Sequence, residues 1–131
     1  MGPKGEIALG LFNSIIGNAS SANPEKAQQD LAPLLIPGEE VEFAMKTIRD
    51  WFVLTNKRVL LTNRQGTGKK VEYRSIPYYA VTKFSLETAG HFEFEGVLRI
   101  WTSGQTEPEM IQLDNGGPLA ELERRLAGKI L

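Results

Sequence analysis

The sequence lacks several of the features that mark common protein classes. Cysteine is absent, which excludes disulfide frameworks, thiolate metal sites and cysteine nucleophiles, and histidine occurs once. The formal net charge is -1, so the concentrated basic face that duplex nucleic acid requires is not expected. No apolar run approaches the length of a membrane span, and the N-terminus lacks the extended apolar region of a signal peptide. We therefore expect a cytoplasmic protein that does not bind nucleic acid.

The clearest pattern in the chain lies between residues 50 and 61. Two apolar runs, Trp51 to Leu54 and Val59 to Leu61, are separated by the four residues Thr-Asn-Lys-Arg. Such runs joined through so short a link predict a β-hairpin. Large apolar side chains occupy both faces of the first run, which predicts a central strand covered on both sides.

Five further segments show the composition or the period of strands, at residues 41–46, 69–74, 81–88, 92–100 and 109–113. The total is seven strands, and Gly96 in mid-strand predicts a bulge or a sharp bend. Pro118 is predicted to open a final helix, since Leu119, Leu122, Leu126 and Ile130 form one apolar stripe. The natural place for such a helix is the open end of a barrel.

The first 36 residues are predicted to be a helical arm. Five large apolar residues in the segment 6–16 share one face of a helix that Gly17 would stop: Ile7, Leu11, Phe12, Ile15 and Ile16. Asn23 is predicted to cap a second short helix that has Pro24 at its first position and ends near Leu31. The predicted organisation is an arm over residues 1–36 and a barrel domain over residues 37–131.

The order of these elements and six short segments resemble the bacterial pleckstrin-homology (PH) domains, a family of small proteins of unknown function. The segments are Pro37-Gly38-Glu39-Glu40, Ile48-Arg49-Asp50, Leu54-Thr55-Asn56-Lys57-Arg58, Gly68-Lys69-Lys70-Val71-Glu72, Ser75-Ile76-Pro77-Tyr78 and Glu87-Thr88-Ala89-Gly90-His91-Phe92. The resemblance implies a mainly β fold, in which two nearly orthogonal antiparallel sheets form a bent barrel closed by the C-terminal helix. It also implies a family without established enzymatic activity, whose members are prone to assemble into rings.

Three segments invite a catalytic, phosphate-binding or metal-binding interpretation. Gly66-Thr67-Gly68-Lys69-Lys70 lacks the first glycine and the Ser or Thr of a phosphate-binding loop, so a hairpin loop is favoured. The single histidine, His91, has no partner that the sequence can place beside it, and a structural role is favoured. Glu93 and Glu95 point the same way on a predicted strand, where a solvated face is favoured over an acid/base or cation pair. We expect no catalytic residue, no metal and no cofactor.

Basic residues gather around the predicted strand turns: Lys46, Arg49, Arg64, Lys69 and Lys70. They favour an alternative function, weak binding of an anionic lipid or phosphate headgroup at the inner face of the membrane. The other interpretation of these positions is ordinary surface charge.

The leading hypothesis is a non-enzymatic interaction module that forms a homo-oligomer larger than a dimer and binds other proteins. The residues expected to make these contacts are the apolar stripe of the arm and one aromatic residue predicted to point outward: Ile7, Leu11, Phe12, Ile15, Ile16 and Trp101.

Overall fold

The computed structural model describes residues 15–46, 50–64, 69–88, 96–113 and 119–131, with side chains from residue 22 onward. These ranges contain eight strands and two α-helices, with short 3-10 turns at Ala32–Leu34 and Tyr78–Ala80. The strands are β1 (Ile15–Ser21), β2 (Val41–Lys46), β3 (Trp51–Thr55), β4 (Arg58–Arg64), β5 (Val71–Pro77), β6 (Val81–Thr88), β7 (Gly96–Thr102) and β8 (Glu109–Leu113); the helices are α1 (Pro24–Leu31) and α2 (Leu119–Ile130). The seven predicted strands are confirmed as β2 to β8.

The strands follow the spatial order β5-β4-β3-β2-β1-β8-β7-β6. Strands β2 to β5 form one antiparallel group, and β6 to β8 form a second. β1 joins the groups, because it pairs antiparallel with β2 and parallel with β8. Its register on β8 shifts between Ile16 and Ala19, so the strand bends where it passes from one sheet to the other.

The inner faces of the two sheets enclose the main core. Phe52, Leu54, Leu98, Ile100 and Ile111 are almost completely buried there, at 1% exposure or less. α2 covers one end of this core with Leu119, Leu122 and Leu126, each fully buried. The predicted capping helix is confirmed, since its apolar stripe is the face that packs on the barrel.

A second, smaller cluster lies on the outer face of the β2–β5 sheet, beneath α1. Trp51, Val53 and Leu60 point outward from the sheet and pack against Ala27 and Leu31 of the helix. All five residues of β3 are buried, and its apolar side chains alternate between these two clusters as the period of a strand requires. The prediction of a central strand covered on both faces is confirmed.

The N-terminal prediction is partly wrong. Ile15 and Ile16, which were predicted to end a helix, lie in β1, and the strand continues through Gly17 to Ser21. Hydrogen bonding to two neighbouring strands outweighs the helical spacing of the two isoleucines. The rest of that predicted helix, with Ile7, Leu11 and Phe12, lies outside the described residues. α1 itself has the predicted bounds and cap.

A steric constraint explains why residue 96 is glycine, and the sequence pattern indicated this only in part. It pairs with Thr88 on one side and with Leu113 on the other, and no register shift falls there. A Cβ atom at this position would collide with the backbone carbonyl oxygen of Glu87, so the two chains meet too closely for any side chain. The register shift between β6 and β7 lies instead between Val81 and Lys83.

Candidate functional site

A groove lies on the outer face of the β2–β5 sheet, beside α1, and is here called the outer groove. Its volume is about 370 Å³. Leu31 and Leu34 form the side contributed by α1 and the turn after it, and Trp51, Val71 and Tyr73 form the side contributed by the sheet. Leu34 and Tyr73 are 37% and 51% exposed, so solvent reaches apolar surface in this groove.

Charged side chains also line the outer groove. Lys46 ends β2 and Arg64 ends β4, and both contribute to the lining together with Asp30 of α1. The Lys46 Nζ atom lies 4.4 Å from the ring centroid of Trp51, a cation–π distance. Asp30 Oδ1 lies 3.2 Å from Lys26 Nζ. The two cations therefore lie where the strands end, and the exposed apolar side chains lie farther along the groove.

Local sequence features place α1 against the sheet. The Asn23 side chain accepts a hydrogen bond of 2.8 Å from the Glu25 N–H, which satisfies one of the free donors of the first turn. Pro24 occupies the first helical position, where a missing N–H costs nothing. Ala27 and Leu31 then face the sheet one turn apart, and Pro33 lies in the 3-10 turn that follows the helix.

A buried ion pair holds the wall of the outer groove. Both oxygens of Glu39 accept from Arg58, Oε2 from Nε at 2.8 Å and Oε1 from Nη2 at 3.0 Å. Thr55 Oγ1 and the Ile36 N–H donate to the same carboxylate at 2.7 and 3.1 Å. The Arg58 Nη2 also donates to the carbonyl oxygen of Leu34 at 2.7 Å. Leu34 is thus fixed to β4 through a guanidinium group.

These contacts set the charge state of Glu39. Burial alone would raise the pKa of this carboxyl, but hydrogen bonds from Arg58, Thr55 and the Ile36 N–H, with the charge of Arg58, bring the pKa below its ordinary value. The Glu39 side chain has no exposed surface, and the Arg58 side chain is 21% exposed. The pair is therefore ionised at neutral pH and belongs to the scaffold.

The predicted anion-binding residues are only partly brought together. Lys46 and Arg64 line the outer groove. Lys69 and Lys70 are exposed and directly precede Val71, another lining residue. Arg49 lies outside the described residues.

The predicted contact residue Trp101 lies on β7 beside the edge strand β6. Lys83 pairs with Trp101 across the two strands, and its Nζ atom is 4.2 Å from the ring centroid. Tyr79 lies in the turn before β6 and is 91% exposed. The Ser103 N–H donates to the Ala80 carbonyl at 2.8 Å, so this turn lies beside the end of β7. We refer to Tyr79, Lys83 and Trp101 as the aromatic edge.

A second ionic cluster links strands that do not pair. Arg74 of β5 donates to both Glu72 of the same strand and Glu109 of β8. Burial and the nearby charge of Glu72 raise the pKa of Glu109, and they outweigh the opposite effect of Arg74. Within the described ranges, no group of three or more His, Cys, Asp or Glu side chains is placed to hold a metal ion.

The phosphate-loop interpretation is not supported by the element that comes after the lysines. Lys69 and Lys70 lead into the strand β5, whereas a phosphate-binding loop leads into a helix. Gly66, Gly68, His91, Glu93 and Glu95 lie outside the described residues. None of the helices in the described ranges is long and apolar enough to span a membrane.

Sequence reasoning did not identify the outer groove or the exposed tyrosines. The strand predicted at residues 69–74 was expected to point Val71 and Tyr73 inward, yet both line the outer groove and Tyr73 is half exposed. The alternation along β5 could have shown this, because Ile76 points inward and a residue three positions away on a strand points to the opposite face. Leu34 and Asp30 had no comparable signal, since their positions depend on where α1 docks.

The two packed antiparallel sheets closed by a C-terminal helix define the class of PH-like barrels, whose members are generally non-enzymatic binding modules. The chain belongs to the bacterial PH domain family, whose model matches residues 10–130. The uncharacterized protein YjqA of Bacillus subtilis is 46% identical over 101 residues, which cover 76% of this chain and 81% of that protein.

Solved structures agree with this assignment. A DUF1696 family protein with a pleckstrin-homology domain from Shewanella loihica is 40% identical, with a TM-score of 0.77 over 88% of this chain and 100% of that one. A pleckstrin-homology domain from Shewanella amazonensis is 42% identical, with a TM-score of 0.70 over 88% of this chain and 94% of that one.

Proposed function

We propose that the protein is a non-enzymatic interaction module that assembles into a closed homo-oligomer larger than a dimer, a ring, and binds other proteins in the cytoplasm. The observation that carries the proposal is the aromatic edge, where Tyr79 is 91% exposed in the turn that lies beside the end of β7. Tyrosine and tryptophan are enriched in the cores of protein interfaces because they bury a large area at small entropic cost.

The backbone beside these aromatic residues is also suited to contact another chain. β6 lies at one end of the strand order and pairs with β7 among the described residues. The other side of an edge strand presents N–H and C=O groups that a second chain can pair with. An exposed aromatic anchor next to such an edge favours protein contact over a solvated surface.

A ring requires two different surfaces on each subunit, because a head-to-tail contact joins one patch to another. The aromatic edge supplies one candidate. The second candidate is the apolar stripe of Ile7, Leu11 and Phe12, which the sequence shows and which lies outside the described residues. Large apolar stripes of this kind commonly mark interfaces in soluble proteins.

Molar mass in solution tests the assembly. We expect the full chain to have the mass of a trimer or larger by light scattering, and Tyr79→Ser to lower that mass. Tyr73→Ser is the matched control, since it removes the same side chain from β5, at the other end of the strand order, and is expected to leave the mass unchanged. A full-length chain that stays monomeric at high micromolar concentration would contradict the proposal.

The arm variant tests the second surface. Phe12→Lys is expected to lower the mass while circular dichroism remains that of a mainly β protein. The same mass in Phe12→Lys and the full chain would remove the stripe from the assembly.

The second candidate function is weak binding of an anionic lipid or phosphate headgroup. It is favoured by the convergence of Lys46 and Arg64 on one groove, with Lys69 and Lys70 exposed next to it. Such binding would be electrostatic and would weaken strongly as salt rises. Sedimentation with phosphatidylglycerol vesicles at two salt concentrations tests it. Equal binding to neutral phosphatidylcholine vesicles, or full binding by Lys69→Glu with Lys70→Glu, would reject it.

A further inference from the structure

The outer groove separates charge from apolar surface along its length. Lys46 pairs with Trp51, and Arg64 pairs with Val71, so both cations stand at the strand ends. Tyr73 pairs with Thr62 one step farther in, opposite the wall that Leu34 forms. A ligand that fits both parts needs a negative group next to a large apolar group.

The walls of the groove are fixed rather than adaptable. Arg58 holds the Leu34 carbonyl at 2.7 Å, and the Trp51 N–H donates to Thr62 Oγ1 at 2.7 Å within the sheet. Leu31 and Trp51 are 3% and 5% exposed, so the base of the groove is packed. A preformed site of this kind avoids part of the ordering cost of binding.

The size of the groove suits a short segment of chain. About 370 Å³ lies near the lower end of the range of roughly 300–1,000 Å³ that is common for ligand pockets. A hydrated headgroup would use the cations but would leave Leu34 and Tyr73 without a contact.

We infer that the outer groove binds a peptide segment of a partner protein in which acidic residues precede a large apolar residue on the same side of the extended chain. The acidic side chains lie against Lys46 and Arg64, and an apolar side chain lies between Leu34 and Tyr73. This inference rests on the protein-binding part of the proposed function and names the chemistry of the partner. The site is separate from the aromatic edge, since it lies on the β2–β5 sheet and the edge lies on β6 and β7.

The probe for this site is an acetylated, amidated peptide of sequence Glu-Ser-Glu-Ser-Leu, whose Glu and Leu side chains lie on one side of an extended chain. Its matched partner is Gln-Ser-Gln-Ser-Leu. Titration into ¹⁵N-labelled full chain is expected to shift amide signals of Lys46, Arg64 and Tyr73. Binding is expected to weaken about tenfold in the double variant Lys46→Gln with Arg64→Gln, because charge-assisted contacts are lost.

The control variants distinguish peptide binding in the outer groove from nonspecific attraction to the charge of the protein. Lys57→Gln removes an exposed cation of the β3–β4 turn, outside the groove lining, and is expected to leave peptide affinity unchanged. Tyr73→Ser is expected to weaken peptide binding and to leave the molar mass unchanged. Tyr79→Ser is expected to lower the molar mass and to leave peptide binding unchanged. If the chain forms the oligomer but does not bind the peptide, this inference alone is overturned. If the chain binds the peptide as a monomer, only the proposed assembly is contradicted.

Two further results would overturn the inference. One is equal affinity for the glutamate and glutamine peptides, since the cations would then have no role. The other is vesicle binding that Lys46→Gln with Arg64→Gln abolishes, in a chain that binds neither peptide at millimolar concentration. The groove would then be a headgroup site.

Discussion

The carboxylate of Glu39 connects three parts of the chain that are far apart in sequence. Its partners are the Ile36 N–H before β2, Thr55 at the end of β3 and Arg58 at the start of β4. Because Glu39 has no exposed side-chain surface, these contacts replace all of its hydration. Loss of any one partner leaves charge in the interior without full compensation.

Arg58→Met is expected to lower the free energy of unfolding by about 3 kcal/mol, because it strands the buried Glu39 carboxylate. The matched control is Arg99→Met, which removes an arginine whose partner Glu87 is 66% exposed. A change of about 0.5 kcal/mol or less is expected there. Urea denaturation at neutral pH measures the free energy of unfolding of both variants. Equal losses would show that burial of the carboxylate does not determine how much its arginine partner contributes.

The Glu39–Arg58 pair illustrates what sequence patterns omit. The sequence places Asn56 and Arg58 in the short link of a hairpin; Asn56 lies there, but Arg58 is already the first residue of β4, and Glu39 precedes β2. Their side-chain contacts cross two strands, and no local periodicity encodes such distances. The Asn56 side chain, for example, donates to Gly38 and accepts from the Glu40 N–H, joining both turns.

At the scale of elements, the strands with clear alternation or apolar runs and both amphipathic helices were predictable, whereas β1 was not. Its residues 17–21 read Gly-Asn-Ala-Ser-Ser, which have low strand propensity. The strand exists because β2 and β8 flank it on both sides, a tertiary cause that the local sequence does not contain.

Deletion of residues 1–21 is expected to destabilise the barrel by roughly 3 kcal/mol or more, since each backbone hydrogen bond contributes about 1 kcal/mol net. Deletion of residues 1–13 keeps β1 and is expected to lower the thermal midpoint less than deletion of residues 1–21 does. Circular dichroism melts of the two truncations measure this, and identical melts would argue against β1 as the link between the sheets.

Two glycines are expected to respond to alanine in opposite directions. Gly96→Ala should destabilise by about 1–3 kcal/mol, because the new methyl group meets the Glu87 carbonyl oxygen. Gly128→Ala should stabilise by about 0.5–1 kcal/mol, because Gly128 lies in α2 with open space around its Cβ position. Chemical denaturation of both variants checks the contrast, and a shift of the same sign in both would contradict it.

At the scale of the whole molecule, two carboxyl groups bias the pH dependence of stability in opposite directions. The pKa of Glu39 is lower in the folded protein than its ordinary value. The stability that Glu39 contributes is therefore fully present above the ordinary pKa and is lost as pH falls through the folded pKa. The pKa of Glu109 is raised, so its contribution is present at low pH and is lost as pH rises.

We therefore expect Glu39→Gln to flatten the loss of stability that occurs as pH falls below the ordinary glutamate pKa of about 4.3. Glu109→Gln is expected to act only above that pH, where it removes the loss of stability that Glu109 causes as pH rises. Thermal midpoints measured from acidic to neutral pH provide the test. Parallel profiles for the two variants would show that these groups do not control the pH dependence of stability.

The position of β1 also orders the events of folding. During synthesis, α1 and strands β2 to β5 are complete once Pro77 has left the ribosome, and they can pack on one another. β1 finds its parallel partner only after β8 has emerged, and pairing across such a sequence separation is slow. The nascent chain therefore carries an open sheet edge through most of its translation, the period in which it is most exposed to chaperones and to mispairing with a neighbouring copy.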